Sequence, residues 1–506
     1  MKKAVAVLLS LILCLSLLLP AVYAEDAYMI KNPYAGIDWE RINQYKTALH
    51  CHTNASDGDF TLKQVLRRHL ETGFDIVAVT DHGVVDTSWA EGPDRNLIKT
   101  VLSVLGRSEG DLDYLGSAGT FSDGTAYAYS SVVNGDAYLR AGDRVILKLP
   151  YGVENNAVSV NAHVNSWFVN GTDNSVTTYR DAVARVDRAG GLCVVNHPGE
   201  YTKARYEIES ADAYNEENPA YAYYINKYAD LIDRYPACIG IDMNSKGDDR
   251  TRFDRILWDR LLTRFSANGG TVAGIASSDA HQLDKIDTGF TVLLMPVLSS
   301  PAAFRALENG EFFAASHCVG NYDEVAAYRD AVAAFYGTDN ETYRRLSAAA
   351  DEMRDRIEGI KSGKYKADER IGATYTVLDG EGYTTVDTFP KITAVAVDDS
   401  ENTIEVKSEN ALFVRYVSNG KTVAIKKADD AAIDLDTCAG LGDYVRAEVF
   451  GDGGVLYTQA FLLNAEAKEG SSKVTKGITE LGFFDFLFAE FNRLFAILRR
   501  VFSRAL

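Results

Sequence analysis

Cysteine is scarce and irregularly placed in this sequence. There are six in 506 residues, and beyond the N-terminal region they are Cys51, Cys193, Cys238, Cys318 and Cys438. An odd, unpatterned set excludes a disulfide framework. Cys51 and Cys193 stand in apolar, strand-like runs and read as small buried hydrophobes rather than reactive thiols. Basic charge is short as well, with 52 Lys and Arg against 71 Asp and Glu, a formal net charge of −19. Nucleic-acid backbones are bound by releasing counterions to Lys and Arg clusters, and the first half of the chain has no such cluster, so nucleic acid is not an expected partner and a small molecule is. Long apolar runs are missing except for Ala4–Leu19, about 16 residues where roughly 20 are needed to span a bilayer. That run follows Lys2-Lys3 and precedes Val22-Tyr23-Ala24 and Glu25-Asp26, the three-part layout of a secretory signal peptide. The expectation is a signal peptide over 1–24 with cleavage after Ala24, giving a secreted or extracytoplasmic chain with 71 acidic against 50 basic side chains, a net −21. Cys14 follows Leu13 and not the small residue of a lipoprotein signal, so lipidation is not expected.

A single core stops growing near 250–300 residues, so this length implies two or more domains. From about residue 45 to 315, β-rich runs (Thr47–His52, Ile76–Thr80, Val145–Leu149, Leu192–Asn196, Ile239–Met243, Thr271–Ser277) alternate with amphipathic segments (Leu62–Thr72, Tyr179–Ala189, Tyr221–Arg234, Phe253–Phe265). Repeated β-then-α units predict an α/β fold with a parallel sheet, open or closed into a barrel, and place function at the carboxyl ends of the strands. The Gly-, Ser-, Asp- and Tyr-rich stretch of about 91–144 breaks the rhythm and reads as a surface insertion beside the site. The expected domains are thus 25–320 with that insertion, a helical spacer over 321–373, and a small β-sandwich over 374–465 marked by alternating strands between Gly, Asn and Asp turns. A polar linker and an amphipathic helix fill 466–506. In the tail, Phe484, Leu487, Phe488, Phe491, Phe495, Leu498 and Phe502 share one face while Arg493, Arg500 and Arg504 fall on the other, which suggests a helix lying on a membrane surface. Packing on the protein's own body fits the same pattern.

Only eight histidines occur, and six of them fall at expected strand ends or in the loops just beyond. In His50-Cys51-His52 the imidazoles stand at i and i+2, on the same side of a strand, with Cys51 on the other. Asp57 follows in a short loop. Ile76–Thr80 delivers Asp81-His82, Leu192–Asn196 delivers His197-Pro198, and Thr271–Ser278 delivers Asp279-Ala280-His281. Imidazole and carboxylate are the ligand set of Zn²⁺, Mn²⁺ or Fe²⁺, and so many pairs exceed the needs of one ion. Asp242 and Asn244 close another strand and either line the pocket or form a turn. His69, beside Arg67 and Arg68, reads as solvated surface. His317 follows a probable closing strand and is a lesser candidate for substrate contact. Lys203, Arg205 and Lys246 follow strand ends and are candidates for binding phosphate, or plain surface charge.

The sequences His50-Cys51-His52-Thr53, Ser56-Asp57-Gly58, Val79-Thr80-Asp81-His82-Gly83, Asn196-His197-Pro198 and Ser277-Ser278-Asp279-Ala280-His281 resemble those of the polymerase and histidinol phosphatase (PHP) family, over roughly residues 45–318. The resemblance implies a distorted (β/α)7 barrel holding two or three divalent ions. It also adds two ligands, Glu154 in Gly152-Val153-Glu154 and His163 about ten residues on. One ion would then be held by His50, His52, Glu154 and Asp279, a second by Glu154, His163 and His197, and a third by Asp57, His82, His281 and Asp279. Glu154 and Asp279 would bridge ions, and with His281 they are the expected catalytic residues. A hydroxide between two ions would be the nucleophile. Asp81 would hold a ligating imidazole from behind. The implied function is a metal-dependent phosphoesterase for a small phosphorylated substrate. A carboxyl-ester or carbamate hydrolase is the alternative, and a non-catalytic surface binding protein a second one.

Overall fold

The computed structural model describes residues 28–92, 112–131, 135–155, 163–170, 178–366, 375–377 and 388–463. The expected signal peptide, the linker and the amphipathic tail helix lie outside the described residues.

The chain is a mixed α/β structure whose helices start and stop on local chemistry. Helix Leu62–Glu71 opens with a capping box, in which Thr61 accepts from the Gln64 amide and the Gln64 side chain accepts from the Thr61 amide. Asn218 caps Pro219–Arg234, whose Pro219 occupies the first turn at no hydrogen-bond cost. Gly190 and Gly310 end helices Tyr179–Ala189 and Ser300–Asn309 in the left-handed conformation.

Two sheets carry the first half. In one, strand Asn43–Ala48 runs parallel to Ile76–Val77, which runs parallel to Arg144–Lys148. In the other, Leu192–Val195, Cys238–Asn244 and Ala273–Ala276 are parallel neighbours. Isolated parallel bridges, Cys51 to Ala280 and His82 to Glu154, join the two where their strand ends meet. The sheets are not wholly parallel, however. Val164–Trp167 pairs antiparallel with both Val153–Glu154 and Leu192–Val195. A parallel pair needs a connection of about a dozen residues or more, and nine separate Glu154 from Val164, which agrees with the antiparallel pairing of these two strands.

The stretch expected as a surface insertion is in part sheet. Ala118–Thr120, Ala126–Ser131 and Ala137–Ala141 form an antiparallel meander that continues the sheet beyond strand Arg144–Lys148. Helices Tyr322–Tyr336 and Glu341–Lys361 occupy the expected spacer. The later strands do not stand apart. Gly454–Tyr457 pairs with Phe312–Ser316, and Phe461–Leu463 pairs with Ile30–Lys31. A three-stranded sheet of Lys391–Asp398, Thr403–Glu409 and Ala432–Asp434 packs its Ile392, Val395, Ile404 and Val406 into one apolar cluster with Val414, Val445 and Val449. Buried Arg446 locks this region to the first half, donating to both carboxylate oxygens of Asp259 in helix Asp254–Ser266 and to Glu448.

Candidate metal centre

Strand-end geometry aims the candidate ligands into one cleft. Past Ala48 the chain stays extended, so alternation puts His50 and His52 on one face while the Cys51 thiol turns into the apolar core and faces the Ala78 carbonyl. The loop after His52 doubles back because Gly58 sits where a Cβ would meet His52 and Thr53 backbone at 2.8–2.9 Å. That close approach requires glycine and returns Asp57 toward the histidines. Gly152 has the same office one strand over, since a Cβ there would lie 2.3 Å from the Val79 carbonyl oxygen. Its absence lets Val153-Glu154 lie against the strand end that carries His82. His197 (φ 26°) and Asp279 (φ 47°) adopt left-handed backbone that non-glycine residues rarely take, a conformation that costs about 1–3 kcal/mol and that packing must hold in place.

All nine sequence-expected ligands come together, with Glu154 and Asp279 at the middle. Glu154 Oε2 lies 2.8 Å from His82 Nδ1, 3.3 Å from His52 Nε2 and 3.4 Å from His50 Nε2. Its Oε1 lies 2.7 Å from His163 Nδ1 and 3.3 Å from His197 Nε2. Asp279 Oδ1 is 3.0 Å from His52 Nε2 and 3.2 Å from His50 Nε2, and Oδ2 is 3.4 Å from His197 Nε2. Asp57, at the open side, meets His281 Nε2 at 3.2 Å and His82 Nε2 at 3.5 Å. Four overlapping groups of donor atoms result: His52, Asp57, His82 and His281; His50, His197 and Asp279; His50, His52 and Glu154; and His82, Glu154 and His163. The grouping differs from the allotment implied by the family resemblance. His197 sits between the two carboxylates and falls with Asp279, and His82 reaches Glu154 as well as Asp57.

The donor set fits divalent cations. Glu154 Oε2 and Asp279 Oδ1 are buried without a hydrogen bond among the described residues, although imidazole nitrogens stand nearby. Such unspent buried oxygens call for a partner, and a cation is the one this donor set suits. Burial holds the His50 and His163 imidazoles down at about 4, against the pull of Asp279 and Glu154 on the first and of Glu154 on the second, so both are neutral at neutral pH. Burial also opposes charge on His52, but Asp279 and Glu154 lift it to about 9. Both central carboxylates stay well below the usual range despite burial, Glu154 through His82 and His163, and Asp279 through His50 and Lys246.

Other expectations fare differently. His69 is not solvated: it is fully buried, its Nδ1 bonds the Val65 carbonyl at 2.8 Å, and its ring packs edge-on against Phe74. His317 is buried too, donating to the Gly453 carbonyl and packed against Phe290 and Phe389. Asp81 does not hold an imidazole directly. It accepts from the Thr53 amide and hydroxyl and from Ser56 Oγ, and Ser56 Oγ in turn lies 3.2 Å from His52 Nδ1. Asp242 accepts from Ser277 Oγ, and Asn244 Nδ2 donates to the Cys318 carbonyl, so both brace the cleft from below.

Sequence reasoning passed over Asn196, Glu200 and Tyr201. Asn196 donates to Glu154 Oε1 at 2.9 Å, and the Tyr201 hydroxyl meets His163 Nε2 at 2.6 Å. Glu200 faces His197 Nδ1 at 3.4 Å and pairs with Lys246 and Arg250. For Glu200 and Tyr201 a signal was available, because a short helical turn over Pro198–Glu200 carries residues three and four past His197 back beside it. Lys246 proves more than surface charge, since its ammonium contacts Asp279 Oδ2 directly.

No family model matches the chain, and no curated protein does either. Among solved structures, the chain is similar to a two-domain protein containing a predicted PHP-like metal-dependent phosphoesterase from Bacteroides vulgatus. The identity is 15%, the match covers 83% of this chain and 96% of that one, and the TM-score is 0.31. It is also similar to PsfC from Pseudomonas syringae, at 14% identity over 53% of this chain and 87% of that one, with a TM-score of 0.28.

Proposed function

We propose that this chain is a metal-dependent hydrolase, and more narrowly a phosphoesterase acting on a small phosphorylated substrate. The observation that carries the reading is the convergence of two buried carboxylates, Glu154 and Asp279, on one cluster of six histidines. His50, His52, His82, Asp57, Glu154, His163, His197, Asp279 and His281 would hold two or three Zn²⁺, Mn²⁺ or Fe²⁺ ions. Such ions supply Lewis acidity toward a phosphoryl oxygen and make water a stronger nucleophile at neutral pH. Asn196 and Tyr201 fix the orientation of Glu154 and His163, and Asp81 fixes the loop that carries Asp57. Lys246 and Arg250, gathered on Glu200 beside the cleft, supply the positive charge that draws an anionic group in against a strongly acidic surface. His281, at the partly exposed rim, donates from Nδ1 to the Asp279 carbonyl, which would leave Nε2 beside Asp57 to hold an ion on the open side of the cleft. No side-chain nucleophile is needed, and the nearest thiol, Cys51, faces the core.

The deciding experiment measures hydrolysis of phosphomonoesters, phosphodiesters, carboxyl esters and carbamates by the chelated and the Mn²⁺- or Zn²⁺-restored protein. Phosphomonoester turnover that disappears on chelation and returns with metal is the expected result. Full activity after chelation rejects the metal-dependent reading, and turnover confined to carboxyl esters or carbamates rejects the phosphoesterase one. The same reading takes the chain as exported, motivated by Lys2-Lys3, the apolar run and Val22-Tyr23-Ala24; a native-host protein that retains Met1 overturns that. Membrane-surface attachment through 483–506 is tested by liposome flotation against a chain ending at Gly470, and equal flotation rejects it.

A further inference from the structure

A second concavity lies beside the metal cluster, and its lining differs in kind. It encloses about 580 Å³, within the ~300–1,000 Å³ common for small-molecule sites. Six of its lining residues carry hydroxyls, namely Thr87, Ser88, Ser117, Tyr129, Ser130 and Tyr151, of which Ser88 and Tyr129 also accept from the Ala90 and Trp89 amides. One wall is the meander strand Ala126–Ser131, and the other comprises the segment that follows His82 and the segment that precedes Glu154.

The cavity is tied to the cleft by chain length alone. Tyr151 precedes Glu154 by three residues, so their Cα atoms are at most about 11 Å apart even in extended chain. The two walls are stitched together there, with the Asp86 amide donating to the Gly152 carbonyl and the Gly83 amide to that of Glu154. A substrate with its reacting group at Glu154 and Asp279 would need a remainder long enough to pass this paired segment, on the order of 10 Å, to reach the cavity.

Two features mark it as built for a ligand. Lys148 is buried on its lining, with its Nζ donating to the Asp86 carbonyl at 2.7 Å and pairing with the Asp86 carboxylate at 3.2 Å. An ammonium has three protons, so one is left for a ligand oxygen. Tyr151, also on the lining, holds a left-handed backbone (φ 57°), a strain of the sort that gathers at ligand sites. Hydroxyls that both donate and accept, one cation neutralised by Asp86, and the Tyr129 ring beside Trp89 together match neither an apolar group nor a second anion. They match a polyhydroxylated one.

We propose that this cavity is the subsite for a sugar-like, polyhydroxylated part of the substrate, which makes the preferred substrate class a sugar or polyol phosphate. The inference rests on the phosphoesterase reading above. The test is calorimetric titration of Mn²⁺-loaded protein with glucose and with its non-hydrolysable 6-phosphonate, in wild type, Ser130→Trp and Thr87→Trp. Both substituted positions are exposed, on opposite walls, so either indole intrudes on the cavity without entering the core. The expected result is saturable binding of the phosphonate, weakened at least about tenfold in both variants with unchanged melting temperature. Failure of folded wild type to bind either compound, or equal binding by the variants, overturns the subsite. The two readings separate cleanly. Phosphate release from phenyl phosphate without sugar binding sinks the subsite alone, whereas variant-sensitive sugar binding without hydrolysis of any ester upholds the subsite and sinks the phosphoesterase.

Discussion

The Nε2 atoms of His50 and His52 lie 3.1 Å apart, and both stand within 3.2 Å of one oxygen of Asp279. Two imidazole lone pairs repel at that separation unless a proton or a cation lies between them. With one neutral ring held near 4 and the other lifted to about 9, His52 is the one of these two rings that carries a second proton in the metal-free protein. Metal binding then has to displace that proton.

Asp279→Asn keeps the side-chain shape and removes the charge on which both rings converge. It should lower bound metal by at least about one ion per chain and turnover at least about a hundredfold, and His52→Ala should match it in turnover. Elemental analysis and steady-state rates measure the two. An Asp279→Asn protein with full metal and normal rates would falsify the assignment.

Lys246 offsets the charge of Asp279 and Glu200, and those carboxylates hold its ammonium protonated against the pull of burial. Lys246→Met should destabilise the chelated protein by about 3 kcal/mol, since it leaves buried carboxylates without their cation. Mn²⁺ should recover most of that loss. Urea midpoints with and without metal report it, and an equal loss in both conditions counts against the idea.

His69 is buried and neutral, its imidazole held down at about 4 first by burial. Its unfolded counterpart takes up a proton near 6.5, so the unfolded state binds more protons between those values. Stability from this residue is therefore complete above about pH 6.5 and is lost as pH falls toward 4, by about 3 kcal/mol at most. His69→Phe should flatten that part of the stability curve. His69→Ala should cost about 2 kcal/mol or more through the cavity it leaves, while the folded protein keeps wild-type turnover. An unchanged melting temperature in His69→Ala would contradict the buried placement.

Asp259 is held by Arg446 at 2.8 Å, across the join between the two halves of the chain. Asp259→Ala leaves a buried guanidinium short of its partner and should cost about 3–5 kcal/mol. Because the strands of both halves share one sheet, the loss should appear as one earlier cooperative transition in calorimetry. Two separated transitions would show that the halves melt independently.

The cleft was legible in the sequence because ligand chemistry uses rare side chains at strand ends, where few other demands place them. His50, His82, His197 and His281 stood out for that reason. His69 was misread although its signal was present. Leu62, Val65, Leu66 and His69 repeat at three- and four-residue spacing, which puts His69 on the buried stripe, while Arg67 and Arg68 beside it suggested solvent. Arg68 is itself buried and donates to the Leu283 carbonyl. Strand direction was not legible, because period-two patterning is the same whichever way a strand runs. The antiparallel course of Val164–Trp167 followed only from the shortness of its connection. Nor did local pattern reveal that Gly454–Tyr457 would pair with Phe312–Ser316, since partner choice across so long a separation depends on tertiary packing.

Ile30 sits opposite Leu463 in the pairing that joins the first described strand to the last. During synthesis the first of these emerges long before its neighbour exists. Pairing along this edge therefore waits until a segment more than four hundred residues further along has been made, which places it among the slowest, most non-local contacts of the fold.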